Sequence, residues 1–129
     1  QALLDAGDRE GLFLLFLRDV VMLPPHEIEQ FKESPAWPDR LARAHNIPRE
    51  ARAEDQYRFD AQRFRALNIP TLLLLGGDSP QELKEITQTI ATALSNSRIA
   101  ILPKQQHIAM YTAPELFVTE LTRFLDEPT

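Results

Sequence analysis

Apolar positions along the chain follow two rhythms, and one gives way to the other at about Leu67. In the first, Leu12, Phe13, Leu15, Phe16, Val20 and Leu23 recur at the three- and four-residue spacing of a helix face, which predicts a helix over residues 8–23. Pro24-Pro25 stops it. Pro25 can open the next helix, because its fixed φ suits a first turn where the missing N–H has no partner anyway. Ile28 and Phe31 lie on that helix's apolar side, and Ser34-Pro35 ends it. Trp37, Leu41 and Ala44 mark a third short helix, and residues 46–59 are charged and read as irregular. Asp60 is placed to cap a short helix carrying Phe64 and Leu67. Residues 1–66 are therefore expected to be short helices separated by prolines.

In the second rhythm, Thr71–Leu75 is a continuous apolar run between Asn68-Ile69-Pro70 and Gly76-Gly77, as expected of a strand covered on both faces. A helix follows from about Pro80 to Leu94, with Leu83, Ile86, Ile90 and Leu94 on one side and Asp78 or Ser79 as its cap. Asn96-Ser97 turns the chain into a second such strand, Arg98–Leu102. Residues 103–107 form a loop, and Ala113 to Leu125 reads as a last amphipathic helix. Two apolar strands joined by a helical crossover are parallel neighbours with a right-handed connection. The fold class is α/β, a helical segment at 1–66 followed by a β-α-β-α unit at 67–129. Two parallel strands cannot cover their own edges. The sheet is expected to be completed by strands preceding Gln1 or by self-association through the open strand edges. The chain starts without methionine, with Ala2-Leu3-Leu4 already in helical register, and so reads as a piece of something longer.

Composition narrows the classes. With 129 residues, 43% hydrophobic and 26% charged, the chain suits one ordinary globular core. Its net charge of -5 argues against a nucleic-acid partner. There is no cysteine, which excludes disulfides, a thiol nucleophile and thiolate metal sites and is compatible with a cytoplasmic setting. The longest apolar run, Leu12 to Leu17, is far shorter than the roughly 20 residues of a membrane span, so no membrane partner is expected. His26, His45 and His107 lack the close spacing of a zinc site, and neither metal nor cofactor is implied.

The candidate chemistry lies where the strands end. His107 stands 29 residues beyond Asp78, just past the carboxyl end of the second strand. Sites in open parallel sheets lie at that edge, and imidazole shuttles protons near neutral pH. Asp78 or Ser79 holds the corresponding place after the first strand. A carboxylate there would orient the imidazole and stabilise its protonated form. The structural alternative for Asp78 is a helix cap or a charge favoured by the helix dipole. His26 and His45 read as structural. Arg40, Arg43, Arg49, Arg52, Arg58, Arg63 and Arg65 could bind an anion but more ordinarily pair with nearby carboxylates. Trp37, Phe13, Phe16, Met22 and Met110 are either substrate-pocket lining or core. Gly76-Gly77 lacks the lysine and spacing of a phosphate loop.

On these residues the chain resembles an α/β hydrolase. Asn68 to Gly76 is similar to that family's seventh strand, Arg98–Leu102 to the eighth, and His107 to the catalytic histidine. Residues 8–66 resemble the helical cap that many members insert after the sixth strand. The resemblance implies esterase-type hydrolysis of a small, fairly apolar ester or related substrate. In it His107 is general base and then general acid, and Trp37 and Met110 are candidates to contact substrate. Two departures stand out. The G-x-S-x-G elbow is absent, since the four glycines at 7, 11, 76 and 77 frame no serine. The nucleophile and oxyanion hole would lie upstream of Gln1, so the chain alone is expected to be inactive. In addition, the usual G-x-x-D pattern, aligned on Gly76, places Ser79 where the acid belongs and Asp78 one residue early. The acid is then Asp78 or comes from the end of the sixth strand. The alternative function is a non-catalytic binding or interaction domain on a hydrolase scaffold.

Overall fold

A computed structural model describes residues 2–127. They form two compact units, the first ending at Arg58 and the second beginning at Phe59.

The first unit is helical: α1 Ala2–Asp5, α2 Arg9–Asp19, α3 Pro25–Lys32, α4 Trp37–Arg43 and α5 Ile47–Gln56, with a 3₁₀ turn at Ala44–Asn46. Asp8 caps α2 by accepting the Gly11 N–H at 2.8 Å. The helix stops at Asp19, short of the predicted Leu23. Val20 and Val21 both donate to the Phe16 carbonyl, and Met22 takes a left-handed φ of 59°. That reversal lets the Leu23 N–H reach the Leu17 carbonyl at 2.9 Å and keeps Leu23 buried, which is why the apolar pattern runs past the helix. The core centres on three rings. Phe13 lies 5.1 Å from Trp37 and 6.1 Å from Phe31, and Phe31 lies 5.8 Å from Trp37, mostly in tilted or edge-on geometry. Aromatic pairs prefer these offset and edge-on arrangements, in which the ring quadrupoles attract. Helix α5 corrects the expectation of an irregular 46–59. It has no buried residue and hence no apolar stripe to reveal it. It rests on Pro48 in the first turn and a run of good helix formers, Arg, Glu, Ala and Gln.

The second unit contains a 3₁₀ turn at Ala61–Phe64, β1 Thr71–Gly76, α6 Gln81–Ala93, β2 Ser97–Leu102, α7 Ala109–Thr112 and α8 Pro114–Leu125. Asp60 caps the 3₁₀ turn by accepting the Gln62 N–H at 3.0 Å, and Phe59 stacks on Phe64 at 5.3 Å. That turn packs against α6, so residues 59–66 go with the sheet rather than with the helices, and the division falls earlier than Leu67.

Strands β1 and β2 pair in parallel, in register from Thr71 opposite Ser97 to Gly76 opposite Leu102. The Thr71 N–H donates to the Asn96 carbonyl and the Gly77 N–H to the Leu102 carbonyl. Because bonding groups alternate along a strand, the peptide groups of Leu72 and Leu74 face away from β2. Among the described residues that edge of β1 is unpaired. The strands are less covered than their sequences predict: Leu72 to Leu75 are half-buried and Ile101 is 65% exposed. No described helix is long and apolar enough to cross a membrane.

Candidate active site

The parallel register ends both strands at the same level, so the loops after Gly76 and Leu102 leave the sheet side by side. Two backbone bonds join them: Gly77 N–H to the Leu102 carbonyl at 2.8 Å and Asp78 N–H to the Gln105 carbonyl at 2.9 Å. Gly76 makes this approach feasible. A Cβ there would run into the backbone carbonyl oxygens of Gln105 and Gln106. Lys104 turns the second loop with a left-handed φ of 58°. The Gln105 side chain is held from below, its Oε1 accepting the Thr112 hydroxyl at 2.7 Å. Directly after His107, Ile108 and Ala109 are buried and anchor the start of α7.

His107 itself is exposed on this braced loop and lines a cleft of about 230 Å³. Leu74, Leu75 and Gly76 contribute to the cleft from β1, Leu83 and Ile86 from α6, and Met110 and Phe117 from α7 and α8. Leu74 and Leu75 point to opposite faces of their strand, so the cleft curls around the open edge of β1. Ser79 and Gln106 supply polar groups to its wall, and Ser79 is 4% exposed.

Asp78 is exposed and does not line the cleft. It shares no hydrogen bond or ion pair with His107. Neither Asp78 nor Ser79 caps α6, whose N-cap is Pro80 with no side-chain bond. What ties Asp78 to the histidine loop is its backbone N–H. Met110 stands at the cleft, 42% exposed. Trp37 is buried in the ring cluster of the helical unit. His26 is exposed, and His45 sits at a helix end with its Nδ1 3.1 Å from the Ala42 carbonyl. Gln106 was not singled out by the sequence, where its only signal is its place beside His107. No described cluster of three or more His, Asp or Glu side chains is placed to hold a metal ion. A larger hollow of about 420 Å³ lies at the opposite end of the strands, where Arg98 pairs with Glu127 at 2.6 Å and covers the Phe124 ring.

Two parallel strands linked through a helix place His107 on the loop beyond the second strand. The chain is similar to the solved structure of an alpha/beta hydrolase from Sphaerobacter thermophilus DSM 20745, with 31% identity and a TM-score of 0.73. The match covers 96% of this chain and 47% of that one, so the chain spans about half the length of the hydrolase it matches. No family profile and no curated protein matches it. The chain thus has an α/β-hydrolase-like fold and corresponds to the C-terminal part of such a hydrolase.

Proposed function

We propose that this chain supplies the general base and the substrate-covering cap of an esterase-type α/β hydrolase acting on a small, fairly apolar ester. His107 takes the proton from a nucleophile outside these residues and returns it to the leaving group. The helical residues up to Arg58 form the cap, and Met110 is the candidate substrate contact; Trp37, packed between Phe13 and Phe31, serves the core of the helical unit instead. The sheet is completed by strands outside this chain or by a second copy. The observation carrying the reading is an exposed histidine on a loop tied by hydrogen bonds to its neighbours, at the carboxyl edge of parallel strands, opening on a mostly apolar cleft. The likeness to a solved hydrolase supports it.

The test is p-nitrophenyl ester hydrolysis by the full-length protein carrying these residues, wild type beside His107→Ala. Turnover should fall by about a thousandfold or more, with the circular dichroism spectrum unchanged. Equal rates in the two proteins would remove His107 from the reaction.

A second reading, a binding domain on a hydrolase scaffold, is favoured by one observation. Ser79 rather than a carboxylate lines the cleft beside His107, and Asp78 makes no bond to the ring. Binding of small esters without turnover would select it.

A further inference from the structure

A threonine hydroxyl inside a helix commonly turns back to the carbonyl four residues earlier. Thr87, Thr89 and Thr92 in α6 and Thr119 in α8 do so, each at 2.8 Å. Thr112, at the end of α7, departs from them. Its hydroxyl stands 3.5 Å from the Ile108 carbonyl, beyond good hydrogen-bond length. It donates instead to the Gln105 side-chain oxygen, seven residues back, at 2.7 Å in a part-buried setting.

The consequence falls on the segment between the two partners. Gln105 carries two tethers: its backbone carbonyl accepts the Asp78 N–H from the loop after β1, and its side chain accepts the Thr112 hydroxyl from α7. His107 follows two residues later, and Ile108 and Ala109 directly after it are buried. The backbone is thus anchored on both sides of the histidine. The ring itself is exposed, and no described residue hydrogen-bonds it. Within this chain its direction is therefore set by the backbone that carries it. Both partners of the Thr112–Gln105 bond lie within residues 105–112, so the bond forms without strands from outside the chain.

Resting on the hydrolase reading above, we infer that Thr112 is a positioning residue for His107: through the Gln105 side chain it fixes the loop backbone, and with it the angle at which the imidazole meets the proton it transfers. A general base must stand within hydrogen-bond reach of that proton, and a misplacement of about 1 Å costs on the order of a hundredfold in rate. The effect belongs to the chemical step, so it lowers kcat and leaves KM nearly unchanged.

The experiment measures kcat and KM for p-nitrophenyl butanoate on the full-length protein carrying these residues. Thr112→Val keeps the branched shape and removes the hydroxyl. It should lower kcat by about tenfold, with KM within about twofold of the wild type. Thr112→Ser keeps the hydroxyl and should hold kcat near the wild-type value. Gln105→Met removes the acceptor and should reproduce the loss, which gives the same reading if Thr112→Val does not fold. The double variant should be no slower than either single one, because both act through one bond. An unchanged kcat in Thr112→Val, an equal loss in Thr112→Ser, or losses that multiply in the double variant would overturn the inference. With activity abolished in His107→Ala, each of these leaves the hydrolase reading standing. If the wild type turns over no ester, the hydrolase reading fails for simple esters, and the His107 ring signals decide the inference by NMR. Ring signals displaced in Thr112→Val and restored in Thr112→Ser support it. Signals that stay in place in Thr112→Val, or move equally in Thr112→Ser, overturn it.

Discussion

In the helical unit, Leu12, Phe13, Leu17, Leu23, Ile28, Phe31, Trp37 and Ala44 are buried; in the sheet unit the buried apolar residues are Ala93, Leu102, Ile108 and Ala109. The sheet unit instead leaves Ile69, Ile86, Ile101, Val118 and Leu125 each more than half exposed. The contrast follows from backbone chemistry. A helix bonds its own peptide groups, so a few short helices can close a core around three rings. A parallel strand needs a partner on each edge and cover on both faces. With two strands described, one edge of each and much of the apolar surface between the helices stay open. The helical unit encloses a larger apolar core than the sheet unit, whose candidate site stands on an open frame.

Substitutions can break or sharpen this contrast. The largest effect is expected from Phe31→Ala, which empties part of the ring cluster and should destabilise the helical unit by about 3–5 kcal/mol. Trp37 is the chain's single tryptophan, so its fluorescence during denaturant unfolding reports that unit alone. Next, Gly76→Ala forces a methyl onto the carbonyls of Gln105 and Gln106 and should cost about 1–3 kcal/mol. It should move amide NMR signals of residues 103–107 while the Trp37 transition stays in place. Smaller again, Asp8→Ala removes the cap of α2 and should lower the fluorescence midpoint by an amount corresponding to about 1 kcal/mol. The smallest change is expected from Ile101→Ala, within about 0.5 kcal/mol, because that side chain is 65% exposed. A loss there as large as that of Phe31→Ala would mean that β2 is covered in solution, and the contrast between the units would collapse.

Much of the frame was legible in the sequence, for reasons specific to each element. Thr71–Leu75 and Arg98–Leu102 were readable as strands because apolar runs of that length, bounded by Gly, Pro and Asn, fit little else. Helices α6 and α8 announced themselves through Leu83, Ile86, Ile90 and through Leu116, Phe117, Leu121 on one side each. Helix α5 escaped because a helix burying nothing has no stripe, only propensity. The end of α2 was overrun because the reversal at Met22 keeps Leu23 in the core, imitating a longer helix. At the site, His107 and the two loops beside it were readable from order along the chain. The orientation of Asp78 was not, since a one-residue offset at a strand end changes which side chain faces inward.

The bracing between the two strand-end loops bears on protein engineering. The histidine loop is shaped by Gly76, by the Asp78 N–H and by the Thr112 hydroxyl, none of which lies within residues 103–107. A graft of those five residues into another scaffold would therefore arrive without its mould. The groups that shape it span residues 71–112, from β1 through α7, and a library that randomises the histidine loop while keeping Gly76 should retain its geometry in far more members than one that also varies residue 76.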